Sequence, residues 1–114
     1  YQCQMLSISG FSFTGSDVGG FVGEPDGELY VRWLQLALFH AFYRTHSSKD
    51  FGDQEPWSYG EEWTNAARSV IEWRYRLLGY IYSTFKSYSE SGIPMIRPLS
   101  IIHFDETSKK RQFD

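Results

Sequence analysis

The chain has 114 residues, of which 41% are hydrophobic and 22% are charged, a balance typical of one globular domain rather than of a disordered segment. Its formal net charge is −3 and its basic residues are scattered, which argues against a nucleic-acid surface because phosphate binding requires clustered Lys and Arg. Cys3 is the single cysteine, so the sequence excludes a disulfide framework or a cysteine-based zinc site built within the chain.

No apolar run approaches the roughly 20 residues that cross a bilayer, and the N-terminus lacks the pattern of a signal peptide. We therefore expect a soluble chain that makes no contact with a membrane. The sequence assigns no cellular compartment. Tyr1 begins within sequence that has the pattern of folded structure, which predicts a piece of a larger protein. Aromatic residues make up 18% of the chain. Some of these rings should meet a ligand or another segment, because so small a chain buries few of them.

The first predicted element is a strand over residues 10–15, where apolar and polar side chains alternate between two glycines. A turn follows, because Gly19 and Gly20 allow backbone conformations closed to other residues. Asp17 is therefore expected just past the C-terminal end of this strand.

An amphipathic helix is predicted from Glu28 to about His40, after the turn signal at residues 24–27. Its expected apolar face consists of Leu29, Trp33, Leu36 and Phe39 or His40. Residues 41–46 are predicted to form a second strand, which ends in Arg44-Thr45-His46 and leads into a polar loop. His46 is therefore expected at a position analogous to that of Asp17.

A second, long helix is predicted to begin at a capping box formed by Ser58 and Glu61. Apolar residues follow the helical period for about eight turns, until Gly92 and Pro94 end the pattern. Beyond it, residues 99–104 are expected to be extended and residues 105–111 to form a loop.

The order strand, helix, strand, helix predicts an α/β fold with parallel strands. Because two parallel strands need covered faces and further neighbours, the chain should belong to an open sheet or an eight-stranded barrel. In such barrels the loops after the strands build the active site, which would bring Asp17 and His46 together. The equally weighted alternative is structural, with the Asp capping a turn and the His satisfied in the core.

Other chemistry is less well supported by the spacing. His40 and His46 with Asp50 or Asp53 match no closed set of metal ligands. An acid and base pair drawn from Asp50, Asp53 and Glu55 is possible, but their loop is more typical of plain surface.

Several motifs resemble glycoside hydrolase family 31. Residues 10–21 read G-F-S-F-T-G-S-D-V-G-G-F, similar to the signature G-x-x-F-x-G-x-D-x-G-G-F that ends a late barrel strand in that family. Residues 28–35 and 42–46 resemble its E-L-x-x-R-W-x-Q helix and F-x-R-x-H strand. Residues 55–57 match the E-P-W of its α-glucosidase branch, and residues 74–78 and 94–99 match its last barrel helix and the exit from the barrel.

The resemblance implies that residues 1–104 are the C-terminal portion of a (β/α)8 TIM barrel, about its last two βα units. Residues 105–114 would be a loop leading toward a C-terminal β-domain. The family's matching residues assign Asp17 and His46 to binding hydroxyls of the sugar whose bond is cut, with Phe21 lining the same pocket. Trp57 would border the pocket mouth. The resemblance implies no cofactor and no metal.

The implied activity of the whole protein is that of a retaining α-glucosidase, which removes terminal α-linked glucose from oligosaccharides by double displacement. The family's nucleophile and acid/base lie upstream of this segment, so the chain alone should be inactive and should need the remainder of the barrel. With barrel edges uncovered, it should self-associate. The alternatives are a non-catalytic carbohydrate-binding or assembly module, and a relative acting as an α-xylosidase or transglycosylase.

Overall fold

The structure is a computed structural model that describes residues 1–99 and 101. Within them the elements, in chain order, are α1 (Gln2–Ile8), β1 (Asp17–Val18), α2 (Gly27–Ala37), β2 (Arg44–Thr45) and α3 (Glu61–Ser91). The two strands pair in parallel, with Asp17 opposite Arg44 and Val18 opposite Thr45. The predicted alternation of strands and helices is present, and α1 is an additional helix that the sequence patterns did not indicate.

Both strands are much shorter than predicted. The stretch 10–15 was expected to be a strand, but only Asp17 and Val18 pair regularly, so Asp17 lies within β1 instead of past its end. One bond from the Phe42 backbone N–H to the Thr14 carbonyl, at 3.2 Å, extends the contact between the two segments by a single step. Among the described residues each strand has one neighbour, and regular pairing over more residues requires partners on both sides.

Helix α2 begins where a side-chain cap is available. The Asp26 carboxylate accepts a hydrogen bond from the Leu29 backbone N–H at 2.8 Å, which satisfies one of the free amides of the first turn. The helix ends at Ala37, about one turn earlier than predicted.

The buried face of α2 differs from the predicted face. It is formed by Tyr30, Val31, Leu34 and Ala37, which pack with Val18 in the core. The predicted face is largely open, because Leu29 is 49% and Leu36 is 70% exposed. The helix carries two apolar stripes, and periodicity alone does not indicate which of them covers the strands.

Helix α3 runs for 31 residues, but the predicted capping box does not form. Ser58 Oγ instead donates to Glu55 Oε2 at 3.1 Å, and the helix begins after Gly60, whose carbonyl accepts from Thr64 Oγ1 at 2.8 Å. The predicted end is confirmed. Gly92 has φ of 73°, the left-handed conformation that closes helices.

Within the described residues, the first half of α3 is better covered than the second half. Ala67, Val70 and Arg74 are buried against α2, whereas Leu78 is 45% and Tyr82 is 73% exposed. The radius of gyration is 17.5 Å, well above the roughly 13 Å expected for a compact domain of this length. The segment is therefore elongated, and among residues 1–99 and 101 much of the second half of its longest helix is open to solvent.

The N-terminal part is held to the residues that follow α3. The hydroxyls of Ser7 and Ser12, both fully buried, lie 2.9 Å apart. The Ser12 hydroxyl also accepts from the Met95 backbone N–H at 2.6 Å, and Tyr88 donates to the Gly10 carbonyl at 2.7 Å. These bonds fix the start of β1 relative to the end of α3.

The last described residues depart from the prediction. Leu99 and Ile101 have helical rather than extended backbone, with the Ile101 N–H donating to the Pro98 carbonyl at 3.1 Å. The remainder of the predicted extended stretch and the loop 105–114 lie outside the described residues. None of the helices between residues 1 and 101 is long and apolar enough to span a membrane.

Candidate functional site

The two strands separate their side chains onto two faces. Val18 is fully buried on the side of α2, and the Thr45 hydroxyl lies 2.9 Å from the Tyr30 hydroxyl of that helix. Because side chains alternate along a strand, Asp17 and Arg44 lie on the opposite face, away from the helices. In a closed barrel this face lines the interior.

Asp17 and Arg44 form an ion pair across the two strands. Arg44 Nε lies 2.8 Å from Asp17 Oδ1, and the two side chains are 46% and 22% exposed. The guanidinium also stacks over the Phe42 ring, with its carbon 4.8 Å from the ring centroid. A pair this open adds little stability. Its effect is geometric, because it holds one oxygen of the carboxylate in place on this face.

His46 follows the last paired residue of β2 and is two residues beyond Arg44, the spacing of side chains that share a face of a strand. Its ring lies 5.4 Å from the Phe21 ring, at an interplanar angle of 35°. The Ser48 backbone N–H donates to the Phe21 carbonyl at 2.9 Å, so the loops that follow β1 and β2 are joined. A polar imidazole edge and an exposed aromatic ring therefore stand side by side beyond the strand ends.

Trp57 occupies a different environment from the other predicted site residues. It is 70% exposed. Pro56, directly before it, lines a groove along β2 with Tyr43, Ile71 and Arg74. The predicted position of Trp57 at the mouth of the sugar pocket stays a prediction.

The turn between α2 and β2 is held by one buried cation. Arg74 is 8% exposed and donates to the carbonyls of Leu38 at 2.6 Å, His40 at 2.7 Å and Ala41 at 3.1 Å. Its guanidinium lies over the Tyr43 ring, 5.0 Å from the centroid. Burial lowers the pKa of Arg74, and burial, with the charge of Tyr30 adding to it, raises the pKa of Tyr43 to about 12. Because this turn leads directly into β2, Arg74 fixes where Arg44 and His46 emerge.

Two residues of the site were not identified as such from the sequence. Arg44 was predicted at the end of the second strand, but Asp17 was not named as its partner. Gln54 was read as part of a polar loop, but it is 4% exposed and donates through Nε2 to the Gly23 carbonyl at 3.2 Å. The signal that points to Gln54 is the glycine pair in the other loop, because Gly19 has φ of 89° and leaves room for the carboxamide.

The alternative sites find no support in the described part of the chain. No group of three or more His, Cys, Asp or Glu side chains is placed to hold a metal ion within residues 1–99 and 101. Asp50, Asp53 and Glu55 are all exposed, and Asp50 and Glu55 accept only from nearby serines. They have the surroundings of ordinary surface carboxylates.

Comparison with known proteins gives consistent matches. The model of the Glycosyl hydrolases family 31 TIM-barrel domain matches residues 1–84. Neutral alpha-glucosidase C of Mus musculus is 46% identical over 101 residues, which are 89% of this chain and 11% of that protein.

Solved structures agree with the sequence matches. The glucosidase II alpha subunit in its Glc1Man2-bound form superposes with a TM-score of 0.84 and 37% identity, over 89% of this chain and 11% of that one. A Family 31 alpha-glucosidase from Bacteroides thetaiotaomicron superposes with a TM-score of 0.79 and 35% identity, over 86% and 17% of the two chains. The chain therefore spans about a tenth of the length of the curated relative it matches.

Proposed function

Because the chain belongs to glycoside hydrolase family 31 and is part of that family's TIM-barrel domain, we propose that it supplies sugar-binding residues to a retaining α-glucosidase. The family match confirms the resemblance predicted from the motifs. The activity, substrate and partners proposed below are those of the intact protein that carries this segment.

Within the barrel, the chain contributes about the last two βα units. The parallel pairing of β1 and β2, with α2 as the crossover and α3 after β2, supports this placement. Residues 1–104 then belong to the barrel, and residues 105–114 lead toward a C-terminal β-domain.

The observation that carries the proposed role is the common face of Asp17 and His46. Both follow or lie in strands that run in the same direction, so both reach the rim at the C-terminal ends of the strands, where barrels bind substrate. The carboxylate accepts hydrogen bonds from sugar hydroxyls, and the imidazole both donates and accepts them. The Phe21 ring, 5.4 Å from the His46 ring, covers an apolar face of the sugar.

The chemistry itself requires two more carboxyl groups. In a retaining glycosidase one carboxylate attacks the anomeric carbon while a second carboxyl protonates the leaving oxygen, at about 5–5.5 Å separation. Water then cleaves the glycosyl–enzyme bond, with the second group acting as base. We assign both carboxyl groups to other strands of the barrel. We assign to this segment the role of holding the sugar while the bond breaks.

Exposed apolar surface supports a dependence on the rest of the barrel. Leu36 is 70%, Trp73 is 56% and Phe13 is 57% exposed. Large apolar side chains left exposed in three parts of the segment support an interface with the rest of the barrel. We expect the isolated segment to self-associate, and a compact monomer in sedimentation would contradict this.

The test is a kinetic assay of the intact protein on α-linked glucosides, with α-xylosides and transfer to a sugar acceptor as alternative readouts. Hydrolysis of α-glucosides with retention supports the proposal. Preference for xylosides or transfer would assign one of the other activities of the family, and binding without turnover would identify a carbohydrate-binding module.

Two variants link that activity to this segment. D17A and H46A should each lower kcat/KM by about a hundredfold or more, since each removes a contact made to the sugar in the transition state. D50A is the matched control, because Asp50 is exposed in the loop after β2. Kinetics of D17A or H46A equal to those of D50A would remove that residue from the site.

A further inference from the structure

Gln54 is buried in a loop where the polar residues on either side of it face solvent. It is 4% exposed, whereas its neighbours Asp53 and Glu55 are exposed. Burial of an amide is unfavourable unless the amide makes hydrogen bonds. The conformation is therefore maintained by specific contacts rather than by the loop's own composition.

The carboxamide of Gln54 lies under the turn that follows β1. A methyl group at Gly19 would come within 2.5 Å of Gln54 Oε1 and 3.2 Å of the Tyr30 ring, so the glycine leaves the space that the amide fills. Gln54 Nε2 donates to the Gly23 carbonyl at 3.2 Å. The loop after β2 thus reaches across and fastens the loop after β1.

Within residues 1–99 and 101, this hydrogen bond is one of two that join the same short stretch to the loop after β2. The Ser48 N–H donates to the Phe21 carbonyl, two residues before Gly23, at 2.9 Å. Phe21, whose ring stands beside that of His46, therefore lies in a stretch that is held at both ends by the opposite loop. Only the Gln54 bond comes from a side chain, so only this bond is set by residue type.

We propose that Gln54 is a positioning residue for the sugar subsite, which holds the loop of Phe21 against His46 and so sets the width of the subsite. The inference deepens the proposed function and rests on it for the identity of the ligand. Gln54 acts through Phe21 and touches no sugar itself. Phe21 and His46 contact the sugar before and during bond cleavage alike, so a shifted loop weakens binding more than it slows the chemical step.

The experiment uses the intact protein with Q54M and Q54E. Methionine keeps the length of the side chain and removes the Nε2 donor, and Oε1 has no hydrogen-bond partner among the described residues that could be lost. Glutamate keeps the shape of the amide but sets a carboxylate oxygen against the Gly23 carbonyl. Q35M is the matched control, because Gln35 is an exposed glutamine of α2.

We expect Q54M to raise KM for an α-glucoside about fivefold, the effect of one ordinary hydrogen bond, with kcat changed less than about twofold. Q54E should raise KM further, and Q35M should leave both constants unchanged. Crystal structures of the variants should show the Phe21 and His46 rings farther apart than the present 5.4 Å.

Unchanged KM and unchanged ring separation in both Gln54 variants would overturn the proposal. So would a fall in kcat with no change in KM, accompanied by a lowered Tm, because that pattern reports general destabilisation. If the wild-type protein hydrolyses no α-glucoside, the proposed function fails, while the ring separation still decides the role of Gln54.

Discussion

Arg44 and Asp17 are register partners on neighbouring parallel strands, and the guanidinium Nε lies 2.8 Å from the carboxylate Oδ1. The pair lies on the face of the strands opposite the helices, and Arg44 precedes His46 by two residues. Arg44 also stacks on Phe42, so the cation is held from two directions. The carboxylate that we assign to sugar binding is therefore oriented before any sugar arrives.

R44M should lower kcat/KM of the intact protein by about tenfold or more, because the Asp17 carboxylate loses the group that orients it. The free energy of unfolding should fall by less than about 1 kcal/mol, since the pair is partly exposed to solvent. If Arg44 acts only through Asp17, the double variant R44M/D17N should be no slower than D17N. A loss of activity in the double variant equal to the sum of the two single losses would contradict this.

Arg74 should matter for stability rather than for catalysis. R74M should lower the free energy of unfolding by about 2–4 kcal/mol, because it leaves three carbonyls between α2 and β2 without their donor. R74K should recover only part of this, since an ammonium lacks the planar fork. R68M, on an exposed position of the same helix, is the control and should change stability by less than about 0.5 kcal/mol in urea denaturation. Equal effects at both positions would refute the role of Arg74.

Alanine substitutions at two glycines should change the stability of the protein in opposite directions. G27A should destabilise the protein by about 1–3 kcal/mol, because its methyl group would collide with the Trp63 ring where α2 meets α3. G79A should stabilise it by about 1 kcal/mol, since Gly79 lies within α3 with nothing close to the added methyl group. Thermal unfolding measures both. The packing of α2 on α3 is wrong if G27A unfolds at the wild-type temperature.

His40 should make stability depend on pH. Burial, with the positive charge of Arg74 adding to it, lowers the pKa of His40 below its ordinary value of 6.5. His40 therefore binds a proton less readily in the folded protein than in the unfolded chain. The free energy of unfolding is then undiminished above the ordinary pKa of 6.5 and decreases as the pH falls below it. Urea denaturation at about pH 7.5 and about pH 5.5 should show a smaller decline for H40N than for wild type. Identical declines would exclude His40 as the cause.

Two helix ends, the start of α2 and the end of α3, were predictable because their signals are local. Gly92 ends α3 with a left-handed backbone, and the turn before α2 contains its cap, Asp26. A local signal can also form a competing structure. Ser58 and Glu61 have the spacing of a capping box, yet Ser58 bonds to Glu55 and closes a turn three residues earlier.

The strand lengths and the buried face of α2 were not predictable, because they depend on distant residues. Residues 10–15 alternate as a strand does, but regular pairing requires neighbours that these residues do not specify. Leu29 and Tyr30 are adjacent and both apolar, and distant residues such as Val18, Thr45 and Tyr59 decide that Tyr30 is buried.

The candidate site shows the same difference between local signals and contacts with distant residues. Motif resemblance predicted Asp17, Phe21 and His46 as the sugar-binding residues, from residue type and spacing. The part played by Gln54 depends on the space left by Gly19 in another loop, and no periodicity reports such a contact. Motif resemblance therefore finds the residues that would touch a ligand more readily than those that hold them in place.

The most direct measurement of the central claim is a crystal structure of the intact protein with glucose bound. The account predicts one sugar ring whose hydroxyls lie within hydrogen-bond distance of both Asp17 and His46, with the Phe21 ring against it. A glucose held elsewhere in the barrel, out of reach of both side chains, would contradict it.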